Sequence, residues 1–264
     1  MRLKDKVVIV TGSTTGIGKA IAVCCADEGA RIVIHGRNRE KGEEVVKVIG
    51  KDKAVLHIAD LTDPDTAGQL VDKALKSFGR LDAVVNNAAM VVSSDIDSTD
   101  AAFLRKVFEV NTIAPFALIK AALPHIRKVQ GHILNIGSVN AYSGEPDLLA
   151  YSMSKGALMT LTRNLGDSLM RRYGVHVNQI NPGWVLTENE IIKKRNDGLA
   201  EDWYNDLPKA YAPSGRILRP EEIAAAAIYW LGAESGPVSG QVFELEQYPF
   251  IGRNPPKDSS TIKV

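Results

Sequence analysis

Residues Val7–Ala22, VVIVTGSTTGIGKAIA, run four β-branched residues into a glycine-rich loop and then into a helix-forming segment. Gly12 suits a tight turn, Gly16 a close backbone approach, and Gly18 close packing of helix on strand. A helix that starts here turns free N–H groups and the positive end of its dipole toward a pyrophosphate. Glycines also end strands for packing reasons alone, so context decides. Strand, turn and helix follow one another in the order that dinucleotide binding needs. The spacing T-G-x-x-x-G-x-G has three residues between its first two glycines, where the common dinucleotide fingerprint has one.

Outward from this stretch, β-branched runs alternate with helical segments. The spacing predicts strands over Lys6–Thr11, Arg31–His35, Ala54–Ile58, Ala83–Asn86, His132–Ile136, Val175–Ile180 and Val242–Glu244. Helices are predicted over Gly18–Glu28, Glu40–Ile49, Asp63–Phe78, Asp100–Val129, Ala150–Tyr173 and Pro220–Leu231. Runs such as KVVIV and RIVI lack period-two alternation, as strands covered on both faces do. This is an α/β pattern: a parallel sheet of about seven strands with right-handed crossovers and helices on both faces. No internal repeat or low-complexity linker interrupts it, so one domain is expected over residues 1–252. Within it, Glu188–Pro213 is polar, rich in Trp, Tyr and Pro, and long for a connection, which suggests a lid over a site. The tail Arg253–Val264 is expected to be extended or mobile.

The 264 residues are 45% hydrophobic and 24% charged, with a net charge of +1. That balance gives no electrostatic reason to expect a nucleic acid or an anionic membrane as partner. The first apolar run is too short for the core of a signal peptide, and no apolar stretch approaches the roughly 20 residues of a membrane-spanning helix. Cys24 and Cys25, as sequence neighbours, make poor disulfide partners, which fits a reducing cytoplasm. Without nearby His they also argue against a zinc site, and no metal is expected.

Further motifs continue in order from the glycine loop: NNAA at Asn86–Ala89, EVNTIAP around Asn111, NIGSVNAYSG around Ser138, YSMSK at Tyr151–Lys155, and NPGWVLT at Asn181–Thr187. Together they make the chain resemble the short-chain dehydrogenase/reductase family of the Tyr-x-x-x-Lys type, like 3-oxoacyl-ACP reductases and glucose dehydrogenases. The resemblance spans about residues 6–245 and implies a doubly wound Rossmann fold. Two places depart from the family: Ala89 stands where Gly is usual, and the ending FELEQYPF lacks the usual Asp-Gly-Gly.

By this resemblance the cofactor lies on Gly12, Ser13, Thr14, Thr15, Gly16, Ile17 and Gly18, then Arg37 and Asn38, Asp60 and Leu61, and Asn87, Ala88 and Ala89. Its nicotinamide half would meet Tyr151, Lys155, Pro182, Gly183, Val185 and Thr187. NAD-binding relatives carry an acid at the tip of the second strand; here the matching residue is Gly36, followed by Arg37. A guanidinium there can take a 2′-phosphate bidentately, so charge favours NADP(H) over NAD(H). Asp60 would cap the adenine edge, although Asp also starts turns.

The resemblance assigns catalysis to Asn111, Ser138, Tyr151 and Lys155. Tyr151 and Lys155 lie four residues apart, hence on one helix face. A Tyr and a Lys at that spacing also occur on many surface helices, and only the company of Ser138 and the glycine loop favours chemistry. A neighbouring ammonium is expected to lower the phenol's pKa from its usual value near 10. Tyr151 would then exchange a proton with the substrate oxygen. Ser138 would polarise the carbonyl, and Asn111 would bend its helix and hold a water beside the lysine. The implied activity is hydride transfer between a nicotinamide and a small carbonyl or secondary alcohol. The implied assembly is a homotetramer paired through the two long helices. A non-catalytic dinucleotide sensor, an epimerase or dehydratase of the same fold, and an NAD(H)-dependent polyol or sugar dehydrogenase remain alternatives.

Overall fold

A computed structural model of the protein describes residues 1–142 and 144–249. The tail at 253–264 lies outside the described residues. Seven strands form one parallel sheet: β1 (Val7–Val10), β2 (Arg31–Gly36), β3 (Ala54–Ile58), β4 (Ala83–Asn86), β5 (His132–Ile136), β6 (His176–Pro182) and β7 (Val242–Leu245). Their order is β3-β2-β1-β4-β5-β6-β7. The eight α-helices of the described residues are α1 (Gly16–Asp27), α2 (Arg39–Ile49), α3 (Thr66–Phe78), α4 (Ala101–Phe108), α5 (Ala114–Ile126), α6 (Leu149–Tyr173), α7 (Glu188–Asn196) and α8 (Pro220–Leu231).

The missing alternation in KVVIV now has its cause. Val8 and Val10 pack with Ile21 and Cys25 of α1 and Ile223 and Ala227 of α8 on one face. Val7 and Ile9 pack with Leu70 of α3 and Leu118 and Ala122 of α5 on the other. Both faces are dry, so every position of β1 is apolar. After β1 the chain builds the sheet one way to β2 and β3, and from β4 it builds the opposite way. The reversal between β1 and β4 opens a crevice at the carboxyl ends of the strands, where ligands of such sheets sit.

The predicted helix over Asp100–Val129 is divided. Glu109–Ile113 forms a π-helical turn between α4 and α5, with Asn111 buried inside it. A π turn inserts a residue and marks functional positions in many helices. The run Ala101–Ile126 is also long and apolar enough to cross a membrane by length and composition, contrary to the expectation that no stretch approached this. Its apolarity serves two faces at once. Leu118, Ala122 and Ile126 are buried in the sheet-side core, whereas Ile113 and Phe116 remain 45% exposed.

The stretch 188–213 begins with α7, which was not foreseen because none of its nine residues is buried and no apolar stripe announces it. Its start is chemically marked: the Thr187 hydroxyl accepts from the Glu190 N–H at 3.1 Å. Trp203, Ala212 and Ile217 then form a small core of their own, with Trp184 stacked on Trp203 at 5.2 Å.

Candidate active site

The glycine loop follows β1 and is tied down from three sides. Gly12 has φ +62°, and a Cβ there would come within 2.8 Å of Ala88 Cα, so only glycine lets the two loops of the crevice touch. The Thr11 hydroxyl accepts from the N–H groups of Asn87 (3.0 Å) and Ala88 (3.1 Å). Asn87 Nδ2 donates back to the Thr11 and Gly12 carbonyls. Ser13 is buried; its Oγ donates to the Val10 carbonyl and accepts from the His35 N–H, and its own N–H donates to the His35 carbonyl at 2.8 Å, so Ser13 ties the loop to β2. Thr15 precedes α1 in extended geometry with no side-chain cap bond, and α1 has no acidic residue in its first turn. The N-terminal N–H groups of α1 are therefore left for an outside acceptor, and the loop fits a pyrophosphate. Helix α1 starts at Gly16 rather than at Gly18 as predicted; Gly18 lies in its first turn, and Ile17 packs on the core.

At the tip of the second strand, Gly36 closes β2 and a Cβ there would lie 2.5 Å from Thr14 Cγ2, leaving no easy room for an acidic side chain. Arg37 extends into solvent and pairs with Asp60 at 3.7 Å. Asp60 Oδ1 accepts from both the N–H and the hydroxyl of Thr62, and these bonds, with Arg37, hold its carboxyl below the usual carboxylate range. Its observed role is the turn that leads to α3. Asn38 is the N-cap of α2, accepting from Lys41 N–H at 2.9 Å, and Leu61 packs against the second core face. Asp63 sits outside α3, with Asp65 as the N-cap.

Ser138 follows β5, and Tyr151 and Lys155 occupy the first two turns of α6; all three are buried. The Ser138 and Tyr151 hydroxyls are hydrogen-bonded. Lys155 Nζ lies 5.7 Å from the centre of the Tyr151 ring and donates to the Ile136 carbonyl at 2.7 Å. The three residues thus converge at the carboxyl edge of the sheet. The electrostatics differ from the expectation. Burial pushes the Tyr151 phenol up to about 12, against the lowering effect of the Ser138 bond and with a further push from the Glu145 carboxylate. Burial alone takes Lys155 down to about 8. Each group is driven toward its neutral form because water is excluded from both. Spacing in sequence reveals proximity but not desolvation, which here is the larger effect.

Asn111 commits its amide to protein partners. Its Oδ1 accepts from Met90 N–H (2.7 Å), and its Nδ2 donates to the Met90 carbonyl and to Ser154 Oγ (2.9 Å). Ser154 in turn donates to the Tyr151 carbonyl at 2.7 Å. The side chain therefore staples the loop after β4 to the turn of α6 that carries the tyrosine. Asn111 sits at the π-helical turn that divides the predicted helix, where the resemblance implies a bend.

A buried chain of side chains was missed entirely. Asn86 donates to Asn135, Asn135 to the Thr162 hydroxyl, and Thr162 Oγ1 meets Gln179 Oε1. Gln179 donates to Asn181 Oδ1, which also accepts the Ser138 N–H. A Cβ on Gly137 would run into Asn181 and Gln179, so a glycine before Ser138 is required. The signal was visible: amides inside the otherwise apolar HILNI and HVNQINP are costly to bury unless bonded to one another. The same network explains why the deepest positions of α6 include Ser154, Lys155 and Thr162, while the apolar Ala157, Leu161 and Leu165 are only half-buried.

In the loop after β6, Pro182 ends the strand, and the Gly183 N–H donates to the Leu245 carbonyl at 2.9 Å. The Trp184 N–H donates to Glu246 at 2.9 Å, so the unusual C-terminal ending supplies a carboxylate brace to this loop. Val185 bridges to Leu218. The Thr187 methyl lies 3.3 Å from where a Gly16 Cβ would be, which brings this loop against the glycine loop. Ala89 is exposed, and it is Ala88 that packs on Gly12. Among the described residues no group of three or more His, Cys, Asp or Glu is placed to hold a metal ion.

Comparison with known proteins gives one consistent answer. Residues 6–197 match the family model described as short chain dehydrogenase. The chain is 36% identical to L-fucose dehydrogenase of Mus musculus over 86% of its length and 82% of the relative's. It is 33% identical to the NADP-dependent (R)-specific alcohol dehydrogenase of Lentilactobacillus kefiri, over 93% of this chain and 96% of that one. A short-chain dehydrogenase/reductase of Caenorhabditis elegans, solved with cofactor, superposes with a TM-score of 0.83 at 30% identity, covering 92% of this chain and 95% of that one.

Proposed function

This chain belongs to the short-chain dehydrogenase family and is an NAD(P)-dependent oxidoreductase acting on CH–OH groups, and on that premise we propose that Tyr151 is its acid/base and NADP(H) its preferred coenzyme. The observation that carries the first part is the burial of Ser138, Tyr151 and Lys155 together beside the crevice. The nicotinamide, when bound, supplies or accepts the hydride. Ser138 Oγ holds the substrate oxygen and sets its distance from Tyr151. In reduction the Tyr151 hydroxyl delivers a proton to that oxygen; in oxidation it takes the alcohol proton. With the phenol held up to about 12 by its surroundings, Tyr151 carries at neutral pH the proton that reduction consumes. Working as a base near pH 7 takes about 7 kcal/mol of preferential phenolate stabilisation. With the coenzyme bound, the Lys155 ammonium and the positive charge of the oxidised nicotinamide would supply it.

Support for NADP(H) comes from Gly36 and Arg37. The strand tip offers no carboxylate to the ribose, and a guanidinium stands beside it next to Asp60. Arg37→Asp should raise KM for NADPH about 10- to 100-fold and lower that for NADH, since a charge-assisted phosphate contact of about 1.5–3 kcal/mol is replaced by repulsion. An unchanged ratio of kcat/KM between the two coenzymes would refute the preference.

The substrate is a small secondary alcohol or its carbonyl. A sugar or polyol is the reading favoured by the likeness to L-fucose dehydrogenase and by the Glu145 carboxylate near Tyr151, which can accept hydroxyl hydrogen bonds. A panel of sugars, polyols, keto esters and aliphatic ketones, each assayed with all four coenzymes, tests it; turnover confined to apolar ketones would count against a sugar. The assembly is proposed to be a homotetramer. Ile113 and Phe116 of the π turn and α5, with Ala157 and Leu161 of α6, line one shallow groove that a second copy would cover. Phe116→Glu should halve the particle mass seen by light scattering; an unchanged mass would exclude this face from the assembly.

A further inference from the structure

His35 lies on β2, one residue before the strand tip, and is 2% exposed. Neither the family motifs nor the mechanism uses it. Its backbone exchanges two bonds with Ser13: the His35 carbonyl accepts the Ser13 N–H at 2.8 Å, and Ser13 Oγ accepts the His35 N–H at 3.0 Å. Its ring does something further. Nδ1 accepts the N–H of Gly12 at 3.3 Å, at the residue whose φ of +62° turns the chain out of β1. Gly12 is also the residue pressed against Ala88 and clamped through its carbonyl by Asn87. The imidazole therefore gives the Gly12 N–H an acceptor in a part-buried place, where an unpaired donor costs about 1–3 kcal/mol, while its own Nε2 is buried without a partner among the described residues.

We propose that His35 is a positioning residue for dinucleotide binding: as a neutral imidazole protonated on Nε2, it fixes the Gly12 turn and with it the approach of the glycine loop to the pyrophosphate. This rests on the reading that the Gly12–Gly18 loop takes the coenzyme phosphates. The neutral form is what the surroundings favour. Burial first, then His57 across the sheet at 6.5 Å and Arg37, lower the ring's pKa to about 4, against the raising effects of the Ala59 backbone and the Asp60 carboxylate. His57 itself is lowered by burial and by Lys73. A protonated His35 would present a donor to the Gly12 N–H and open the turn.

The full-length protein tests this in two independent ways. Nitrogen-15 NMR of histidine-labelled protein at pH 7, with no dinucleotide added, should show His35 with an unprotonated, hydrogen-bonded Nδ1; a proton on Nδ1 would overturn the proposal without any variant. Next, His35→Leu removes the acceptor at similar size, and His35→Asn places an amide oxygen near the Nδ1 position. Amide exchange at Gly12 should quicken about tenfold in the Leu variant and return toward the wild-type rate in the Asn variant. The dissociation constant for NADPH, from fluorescence titration, should rise about five- to tenfold in His35→Leu and less than threefold in His35→Asn. The kcat at saturating coenzyme should stay unchanged in both. Equal effects of Leu and Asn, or a kcat loss without an affinity loss, would reduce His35 to a core residue. Failure of the wild-type protein to bind any nicotinamide dinucleotide would instead sink the coenzyme reading, while leaving the tautomer and exchange results to stand on their own.

Discussion

Tyr151→Phe should lower kcat about 10²- to 10⁴-fold while leaving coenzyme affinity within a factor of about three. Only one oxygen is removed, so the outcome isolates the proton-transfer role from packing. The ring stays in its buried place on α6, and Lys155 keeps its bond to the Ile136 carbonyl, which does not involve the phenol. The Ser138 hydroxyl loses one partner but still accepts from the Asn140 N–H at 3.2 Å, so it is not stranded. The thermal midpoint should therefore move little: a hydrogen bond worth about 1 kcal/mol is lost, and the cost of burying a hydroxyl is lost with it. Coenzyme fluorescence and stopped-flow hydride transfer measure the two halves separately. Retention of more than a tenth of wild-type turnover, with the dinucleotide still bound, would remove Tyr151 from the chemistry and return the site to Ser138 and solvent.

The sheet was legible because both its faces are dry. An apolar run with no alternation, repeated at β1 and β2 and interleaved with helices, has few other folded solutions, and the glycine loop placed the crevice at once. Boundaries slipped where polar groups extend an element: β6 continues through Asn181 to Pro182 because those amides are paired with the Gln179 and Ser138 neighbourhood instead of water. Helix α7 was invisible because it buries nothing and is held by its Thr187 cap and its acidic first turn and basic last turn. The π turn at Glu109–Ile113 was half legible. A bend at Asn111 was expected from the family resemblance, but its partners, Met90 and Ser154, are 21 and 43 residues away in the chain. The largest error was electrostatic. A Tyr and a Lys one turn apart predict mutual stabilisation of charge, yet the fold encloses both, and desolvation reverses the sign of the shift on the phenol.

That reversal makes Lys155→Met a second large and unusual effect: activity should fall by orders of magnitude while the folded state becomes no less stable at pH 7. Lys155 is 2% exposed, and its only hydrogen-bond partner among the described residues is the Ile136 carbonyl. Its folded pKa of about 8 lies below the ordinary lysine value of 10.5. The unfolded chain therefore binds more protons at this site between those two values, and stability must rise with pH across that window. Below pH 8 the native state carries the full cost of a buried ammonium, about 3 kcal/mol; above 10.5 the amine is neutral in both states and the cost is gone. Methionine fills similar volume without the charge, so the variant should lack this slope, although it strands the Ile136 carbonyl at a cost of about 1–3 kcal/mol. The measurement is the difference in unfolding free energy between the wild type and the Lys155→Met variant, from urea titrations at about pH 8 to 10, inside the window between the two pKa values. Taking that difference cancels contributions from Lys6 and the two cysteines, which titrate in both proteins. Tyr151 stays protonated in the folded state over this range. A difference that grows in favour of the wild type as pH rises is the expected result. A flat difference would mean that the ammonium is solvated in the folded protein, and with it would go the idea that coenzyme binding recruits a desolvated ammonium to the ribose and the phenol.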